Sequence, residues 1–356
     1  MKDRIYVCHT FYHVYISLLK ELALPKEKQH GATIVLSTMS TDFGNLRERL
    51  LKLNYLEDVV MFEEKRETYF PELAKYKVDH GNIIINMFYR IRFTSKFAKC
   101  EARQVPVDFR EYGEIYVFCD ADPIGVYLNK NHIYYHAMED GLDAMKTMDE
   151  AHLSNIGFFK VKAFFASLNL IFIEHGYSKY CLDMEVNNRS VIKHDYKKFK
   201  EVPRAPFYDR LTREDKDLLL RAFVDNKEEL ERVIKEVRDT NEGSVLLLSD
   251  PVCEEDVREQ MMKDLVDEYK SRGRIFIKQH PRDLLDYKKI FPDIPLFSGK
   301  MPMEILNFFE GIHFDTVVSV YTELGEIQFA DEKIRLSDAF MDKYEDPERH
   351  WSNDKI

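Results

Sequence analysis

The chain has 356 residues, of which 45% are hydrophobic and 32% charged, and its formal net charge is −11. This length suffices for two domains with full cores, and the acidic charge argues against a nucleic-acid partner, since such proteins usually carry a basic surface. The five cysteines contain no Cys-x-x-Cys pair, which argues against a zinc ribbon or a disulfide framework.

The first half of the chain alternates between strand-like and helix-like patterns. Alternation of this kind is typical of a parallel sheet that helices cover on both faces. The pattern predicts strands over 5–8, 32–36, 58–62, 115–119 and 132–137, and helices over 12–22, 45–53 and 124–128.

The middle of the chain differs, and a second alternation follows it. Residues 193–210 lack periodicity and are interpreted as a linker, after which Thr212 is a plausible N-cap with Asp215 three residues later. The remaining pattern predicts charged helices to residue 238, strands over 245–248, 275–277, 295–297 and 317–320, and helices over 254–269 and 303–309. We therefore expect an N-terminal α/β domain over 1–192, a linker with helices over 193–240, and a second α/β domain over 241–356, with a ligand cleft between the domains.

The most informative stretch is the strand that ends on Lys278, His280 and Pro281. Proline cannot donate to a sheet ladder and keeps the preceding residue extended, so His280 should lie at the carboxyl end of the strand. In open α/β sheets ligands bind at that edge. A cation and an imidazole there predict an anion site, with His280 able to protonate a departing phosphate.

A pair of carboxylates, Glu139 and Asp140, followed by Gly141, comes after the strand predicted over 132–137. Adjacent carboxylates raise each other's proton affinity, which favours a general base, and the glycine permits a tight turn beside a ligand. The alternative is an acidic turn that caps the next helix.

Two further spots in the second half suit a nucleotide. The strand over 317–320 runs into the hydroxyls of Ser319, Tyr321 and Thr322, which suit a phosphate or, equally, a helix cap. Gly299 shapes the loop before a helix whose first turn holds Glu304, a residue that could bind ribose hydroxyls or simply favour the helix dipole.

Taken together, these motifs resemble those of bacterial sialyltransferases. Lys278-x-His280-Pro281, Glu139-Asp140-Gly141 and the strand end at Ser319 occur in the expected order, and the opening 6–13 (YVCHTFYH) is similar to the start of glycosyltransferase family 52. This family contains lipooligosaccharide and capsule sialyltransferases. The resemblance implies the GT-B fold, two Rossmann-like domains facing a central cleft, with inverting transfer from CMP-sialic acid to a terminal galactose and no cofactor or metal.

The resemblance also implies roles for individual residues. His280 is the expected acid and Asp140, beside Glu139, the expected base. Thr10, Tyr12 and Gly141 are expected to contact the acceptor. The expected nucleotide contacts are Lys278, Pro281, Gly299, Glu304, Ser319, Tyr321 and Thr322. Val320 stands where the family usually has a second hydroxyl.

The base has rival candidates. In this family a carboxylate after the first strand of the second domain is an alternative base, which would be Asp256 or Asp250 here. The alternative interpretation is that these acidic residues stabilise the dipole at the start of the helix predicted over 254–269. Asp140 is preferred because its strand-end position is easier to place at a ligand site.

Other functions are open at this stage. Asp120-Ala121-Asp122 matches the metal-binding pattern of GT-A transferases, although the same residues form ordinary turns. A non-catalytic nucleotide or glycan binder and a transferase of another CMP- or CDP-linked group are the remaining alternatives. His132 and His136 lie about 13 Å apart on a strand, so we reject a shared metal.

The expected compartment is the cytoplasm, because no signal-peptide core or membrane span occurs in the sequence. The segments 88–99 and 156–173 mix phenylalanines with basic residues. Such helices either lie on an anionic membrane or pack on a sheet. Beyond the sugar nucleotide and the glycan, the predicted partners are the cytoplasmic face of the inner membrane and a second copy of the chain.

Overall fold

The computed structural model describes residues 1–350, which divide into two compact units. The first unit contains Met1–Thr41 and Leu50–Arg210, and the second contains Asp42–Arg49 and Leu211–His350. The boundary after Arg210 lies inside the stretch that we assigned to a linker with helices. Residues 351–356, which we placed in the second domain, lie outside the described residues.

The first unit is built on a seven-stranded sheet in which all strands are parallel, in the order β3-β2-β1-β4-β5-β6-β7. Its strands are β1 (Lys2–Cys8), β2 (Ala32–Ser37), β3 (Asp58–Phe62), β4 (Tyr112–Phe118), β5 (Tyr135–Met138), β6 (Cys181–Val186) and β7 (Phe199–Glu201). The α-helices up to residue 210 are α1 (Phe11–Leu22), α2 (Leu46–Lys52), α3 (Ile83–Glu101), α4 (Pro123–Lys130), α5 (Glu150–Leu153), α6 (Phe159–Ser167) and α7 (Ala205–Asp209).

The second unit is built on a five-stranded parallel sheet in the order β10-β9-β8-β11-β12. Its strands are β8 (Ser244–Leu248), β9 (Arg274–Lys278), β10 (Leu296–Phe297), β11 (Phe314–Ser319) and β12 (Ala330–Arg335). Its helices are α8 (Arg213–Phe223), α9 (Lys227–Arg238), α10 (Glu255–Tyr269), α11 (Tyr287–Ile290) and α12 (Asp338–Met341).

Local sequence explains where several elements begin. Thr10 caps α1 by accepting a hydrogen bond from the His13 backbone N–H, and Pro123 starts α4, where its missing N–H costs nothing. Thr212 and Asp215 form the reciprocal capping box that the sequence predicted for α8. The inner strands β1, β2 and β8 are buried along nearly their whole length, as is usual when helices cover both faces of a parallel sheet.

The structure corrects the predicted elements in three places. Residues 193–210 are not a plain linker, because they contain β7 and α7. β6 and β12 were not predicted. The strand predicted from His132 begins only at Tyr135, since His132 has a φ of 60°, which a strand does not accommodate. The missed strands β7 and β12 are charged edge strands, whose sequences lack the apolar pattern of a buried strand.

Among the described residues, no helix combines the length and the apolar character needed to cross a bilayer. The helix predicted over 303–309 is a 3₁₀ helix, Met303–Phe308.

Candidate functional site

Asp140 lies just beyond β5, at the carboxyl edge of the first sheet. One carboxylate oxygen, Oδ1, lies 2.8 Å from Nε2 of His13 and 2.8 Å from the Cys119 thiol. His13 is fully buried, whereas 49% of the Asp140 side chain is exposed. The group formed by His9, His13, Cys119, Asp122 and Asp140 is called the Asp140 edge below. Within this group His13 and Cys119 hold the carboxylate of Asp140 and leave part of it accessible to a ligand.

The hydrogen bonds of His13 fix its tautomer. Its Nδ1 accepts the backbone N–H of His9 at 3.0 Å, so Nε2 must carry the proton of the neutral ring and donate it to Asp140. The ring stacks on Phe118 with 4.3 Å between the centroids. Burial lowers the pKa of His13, which keeps the ring neutral. Asp140 therefore receives a directed hydrogen bond from a rigid donor.

His9, which directly follows β1, differs from the neutral His13 because its surroundings favour the charged ring. Its Nε2 lies 2.7 Å from Glu64 and 3.4 Å from Asp122. Burial alone would lower its pKa, but the Asp122 and Glu64 carboxylates outweigh that effect and raise the pKa to about 9. Burial raises the pKa of Asp122 to about 7. The raised pKa of His9 favours its imidazolium form at neutral pH, held by the Glu64 carboxylate at 2.7 Å.

Glu139, predicted to act with Asp140, is turned into the protein. Its carboxylate accepts the backbone N–H groups of Met145 and Asn187, both at 2.9 Å. Its pKa is raised to about 7, chiefly by burial. The main cause is therefore not the pairing of adjacent carboxylates that the sequence suggested, and Glu139 anchors the loop that presents Asp140.

Gly141 does not need to be glycine for backbone reasons. Its φ is not in the left-handed region, and an added Cβ would meet only the Ala144 Cβ, at 3.8 Å. The predicted turn is present, since the Gly141 carbonyl accepts the Ala144 backbone N–H at 3.4 Å, but its geometry does not require a glycine. Thr10 and Tyr12, the other predicted acceptor contacts, lie at the N-cap and in the first turn of α1, both partly buried.

The Asp120–Asp122 pair does not form a shared carboxylate site. Asp120 is buried and accepts hydrogen bonds from the Tyr135 hydroxyl at 3.0 Å and the His175 backbone N–H at 2.9 Å. Asp122 is directed to His9 instead. His132 and His136 also have different partners: His132 stacks on Tyr180, and His136 forms a hydrogen bond with Asp183.

Three possible metal ligands do come together among the described residues. His9, His13 and Cys119 each place a donor atom within 4.8 Å of the others. Both ring nitrogens of His13 already form hydrogen bonds, and the Cys119 thiol, whose pKa burial raises, donates to Asp140. An ion could bind only by breaking these bonds.

His280 lies two residues beyond β9, at the carboxyl edge of the second sheet, as predicted. Its backbone N–H donates to the Ser249 hydroxyl at 2.9 Å, and its Nδ1 accepts the Arg282 backbone N–H at 3.1 Å. In the neutral ring the proton is therefore on Nε2. The geometry orients a half-buried imidazole with Nε2 as its donor.

Lys278 lies beneath His280 and is nearly inaccessible. It is 5% exposed, and its Nζ donates to the Gln279 carbonyl at 3.0 Å. Burial lowers its pKa to about 7, while the Glu304 carboxylate acts in the opposite direction. Burial raises the pKa of Glu304. The two predicted nucleotide contacts thus act on each other, and the charge on Lys278 is easily changed.

The three hydroxyls predicted to bind phosphate already donate their protons inside the second unit. Ser319 donates to the Thr322 carbonyl at 2.7 Å, Tyr321 to Asp338 at 2.7 Å, and Thr322 to Asp250 at 2.6 Å. Asp250 also accepts the backbone N–H groups of Val320 and Tyr321. Asp250, a rival base, is therefore a buried anchor for this loop, and these hydroxyls must exchange partners to donate to a phosphate.

The remaining predicted residues lie at the same edge or near it. A Cβ on Gly299 would come within 3.2 Å of the His280 carbonyl oxygen, so the absence of a side chain allows this loop to approach closely. Pro281 is half-buried beside His280. Asp256 is exposed in the first turn of α10, where its charge favours the helix dipole.

Residues that the sequence reasoning missed are the supports of the predicted groups. Ser249 holds the His280 backbone, and His13 and Cys119 hold Asp140. The signal for Ser249 was a hydroxyl directly after β8, the strand that pairs with β9. His9 and His13 stood in the opening motif, but their partners come from strands distant in the sequence.

Comparison with known proteins is consistent with this architecture. Residues 55–322 match the model of glycosyltransferase family 52. An α/β-galactoside α-2,3-sialyltransferase from Photobacterium phosphoreum has a TM-score of 0.53 at 11% identity, covering 93% of this chain and 90% of that one. The GT-B domain of a sialyltransferase from Photobacterium damselae has a TM-score of 0.50 at 11% identity, covering 91% of this chain and 87% of that one. These likenesses show a shared fold.

A curated relative matches over a shorter stretch. It is an uncharacterized protein of Haemophilus influenzae, 30% identical over 76 residues, which are 21% of this chain and 24% of the relative. The match therefore spans about a quarter of that protein.

Proposed function

Because the chain belongs to glycosyltransferase family 52 and has the GT-B fold, we propose that it transfers sialic acid from CMP-sialic acid to a terminal galactose-type hydroxyl of a surface glycan, with inversion. The predicted GT-A alternative fails because the fold is GT-B. The observation that supports the proposal best is the pair of oriented groups at the carboxyl edges of the two sheets: Asp140 on its His13 donor, and His280 with Nε2 as its donor.

In the proposed reaction Asp140 removes the proton from the attacking acceptor hydroxyl. A base must be ionised, accessible and fixed in direction. The hydrogen bonds from His13 and Cys119 stabilise the carboxylate form of Asp140, and its exposed fraction gives the acceptor access. His13 acts as a positioning residue, because it touches Asp140 and not the reacting atoms.

On the donor side, His280 is proposed to stabilise and protonate the departing CMP phosphate. The bond between C2 of the sugar and the phosphate oxygen breaks as the acceptor oxygen attacks C2, and Nε2 of His280 donates a hydrogen bond to the departing phosphate. Full proton transfer requires the imidazolium form, in which Nδ1 is also protonated and gives up the N–H of Arg282. Lys278 balances the phosphate charge when protonated, and its lowered pKa makes that protonation responsive to a bound anion. Glu304 and Gly299 remain the proposed ribose and nucleotide contacts.

The proposal includes no metal in the chemistry. In GT-A enzymes the cation neutralises the leaving phosphate, and here His280 and Lys278 are proposed to supply that electrostatic stabilisation. Transfer should therefore continue with a chelator present. The cytoplasmic location and the homodimer stay predictions.

Isosteric variants of the two exposed candidate bases test the assignment. Asp140→Asn keeps an oxygen for the bonds from His13 and Cys119 while removing the base, and Asp256→Asn makes the same change on an exposed helix turn. We expect the first to lower kcat by about 10²–10⁴-fold and the second to change it little.

The measurement is initial-rate CMP release from CMP-sialic acid, with thermal unfolding as the check on folding. Loss of activity in Asp256→Asn alone would assign the base to the second unit. Full activity in both variants would refute a carboxylate base at either position.

A further inference from the structure

The helices α3 and α6 of the first unit expose an unusual number of large apolar side chains. Ile84 is 77% exposed, Phe158 70% and Phe164 61%. Among the described residues, half of all exposed large hydrophobic side chains lie in the two segments that contain these helices: Ile83, Ile84, Ile85, Phe88, Ile156, Phe158, Val161, Phe164 and Leu168. We call these nine residues the α3–α6 surface.

The two helices are neighbours, so their exposed residues belong to one region. Met87 and Ile91 of α3 pack on the same apolar cluster as Phe159 and Ala163 of α6. Arg90 adds a hydrogen bond of 2.6 Å to the Asn155 side chain, just before α6. The inward-facing residues of both helices thus have partners in the first unit, while the outer faces of the same helices present apolar groups to solvent.

The two segments that carry this surface have a charge opposite in sign to that of the chain, although the exposed Asp79 lies just before α3 and bonds the Asn86 side chain. The protein has 63 acidic and 52 basic residues, yet residues 80–100 and 151–173 contain no Asp or Glu at all. They contain six basic residues, Arg90, Arg92, Lys96, Lys99, Lys160 and Lys162. Of these, Arg92, Lys96, Lys99 and Lys160 are exposed. Apolar side chains with basic residues and no acidic ones are the composition of a helix that lies on an anionic bilayer.

We propose that the α3–α6 surface docks on an anionic lipid bilayer, with its phenylalanines and aliphatic residues inserted at the interface and the lysines and arginines of the same two segments near the lipid phosphates. A protein partner or a second copy could also cover apolar residues, but the absence of acidic groups across both segments favours an acidic surface. The attachment is peripheral, and it is independent of which nucleotide sugar the enzyme uses.

The test is co-sedimentation of the full chain with vesicles of phosphatidylcholine, with and without phosphatidylglycerol. We expect binding to the mixed vesicles that weakens as salt is added. Phe164→Ser with Leu168→Ser should lower the partition coefficient by about tenfold, since each inserted side chain contributes to burial. Lys160→Glu should lower it by about tenfold on the anionic vesicles only.

Matched controls lie on the same unit. Leu182 is 46% exposed on β6, close to the 49% of Leu168, so Leu182→Ser makes the same change outside the surface. Lys197→Glu repeats the charge reversal at another exposed lysine. Both controls should bind like the wild type.

Three outcomes would overturn the proposal: no binding of the wild type to anionic vesicles, equal losses in variants and controls, or a wild-type dimer that Phe164→Ser with Leu168→Ser converts to monomers without any lipid binding. Light scattering measures the last. Transfer to a soluble acceptor should be unchanged in the surface variants, which separates failure of this proposal from failure of the proposed activity.

Discussion

The hydrogen bonds of His280 decide which of its ring nitrogens can donate a hydrogen bond to a ligand. Nδ1 accepts from Arg282, and the backbone is held by Ser249. The Lys-x-His-Pro sequence predicted the position of this ring because a proline after a buried strand has few other interpretations. It did not predict the contact with Ser249, because that contact requires β8 and β9 to be neighbours in the sheet. The order of the strands in the sheet is known only from the structure.

His280→Ala should lower kcat by about 10²–10⁴-fold through the loss of positioned proton transfer. The fold should survive because the ring is only partly buried. His313, 54% exposed in the same unit, provides the matched variant His313→Ala. Rates near wild type for His280→Ala, or equal losses in both variants, would remove His280 from the mechanism.

The same scale shows where residue-level prediction failed. The sequence grouped Glu139 with Asp140 because they are adjacent, but consecutive side chains near a strand end point in different directions. It also proposed Ser319, Tyr321 and Thr322 as phosphate contacts without showing that their protons are donated within the second unit. Hydrogen-bond partners distant in sequence, such as Asp250, are what the sequence pattern lacks.

At the scale of elements, two glycines of the first unit, Gly125 and Gly141, have different steric requirements. Gly125 lies in α4, where an added Cβ would come within 2.0 Å of the Asp120 carbonyl oxygen, whereas Gly141 has room for one. The first glycine therefore allows α4 to pack on the turn that follows β4.

Gly125→Ala should destabilise the protein by about 1–3 kcal/mol, despite the helix propensity of alanine, because the clash is with backbone. Gly141→Ala should change the free energy of unfolding by less than about 0.5 kcal/mol. Urea unfolding measures both. Equal stability of the two variants would show that the close approach at Gly125 is not real.

The end of α3 carries a buried carboxyl group whose protonation should depend on folding. Glu101 is 0% exposed, and its oxygens have no hydrogen-bond partner among the described residues. Burial raises its pKa to about 8, with a smaller contribution from Glu64. Between pH 4.5 and 8 the unfolded chain releases this proton while the folded protein keeps it, so folding is progressively disfavoured as pH rises.

Glu101→Gln should remove this loss, which is on the order of a few kcal/mol. The readout is the difference in melting temperature between pH 5 and pH 8, which should shrink in the variant. Glu21→Gln is the control, since Glu21 is equally buried but bonds Arg4, and it should destabilise the protein without removing the loss. An unchanged pH dependence in Glu101→Gln would contradict the raised pKa.

Elements with strong apolar patterns were predicted well, whereas those without were not. Most residues of the strands β1, β2, β8 and β9 are apolar. In the chain, α1 comes shortly after β1 and α10 shortly after β8. β12 has the sequence ADEKIR, and β7 has three residues. Their pairing comes from the neighbouring strand, so nothing local to the sequence indicates it.

For the molecule as a whole, alternation of strands and helices predicted two α/β units, and the fold confirms this. The sequence pattern did not predict that Asp42–Arg49 belongs to the second unit. The GT-B fold follows from the resemblance in sequence and from the structural likeness, whereas the donor and acceptor rest on the proposed chemistry of the two edges.

The central claim is transfer of sialic acid from CMP-sialic acid, and mass spectrometry of the product tests it most directly. The wild-type protein is incubated with a galactoside acceptor and EDTA, together with CMP-sialic acid or, in parallel, UDP- and GDP-sugars. We predict a sialylated galactoside and free CMP from the first donor alone, at an undiminished rate with EDTA. A product from a UDP- or GDP-sugar, or transfer from CMP-sialic acid that stops with EDTA, would contradict the account.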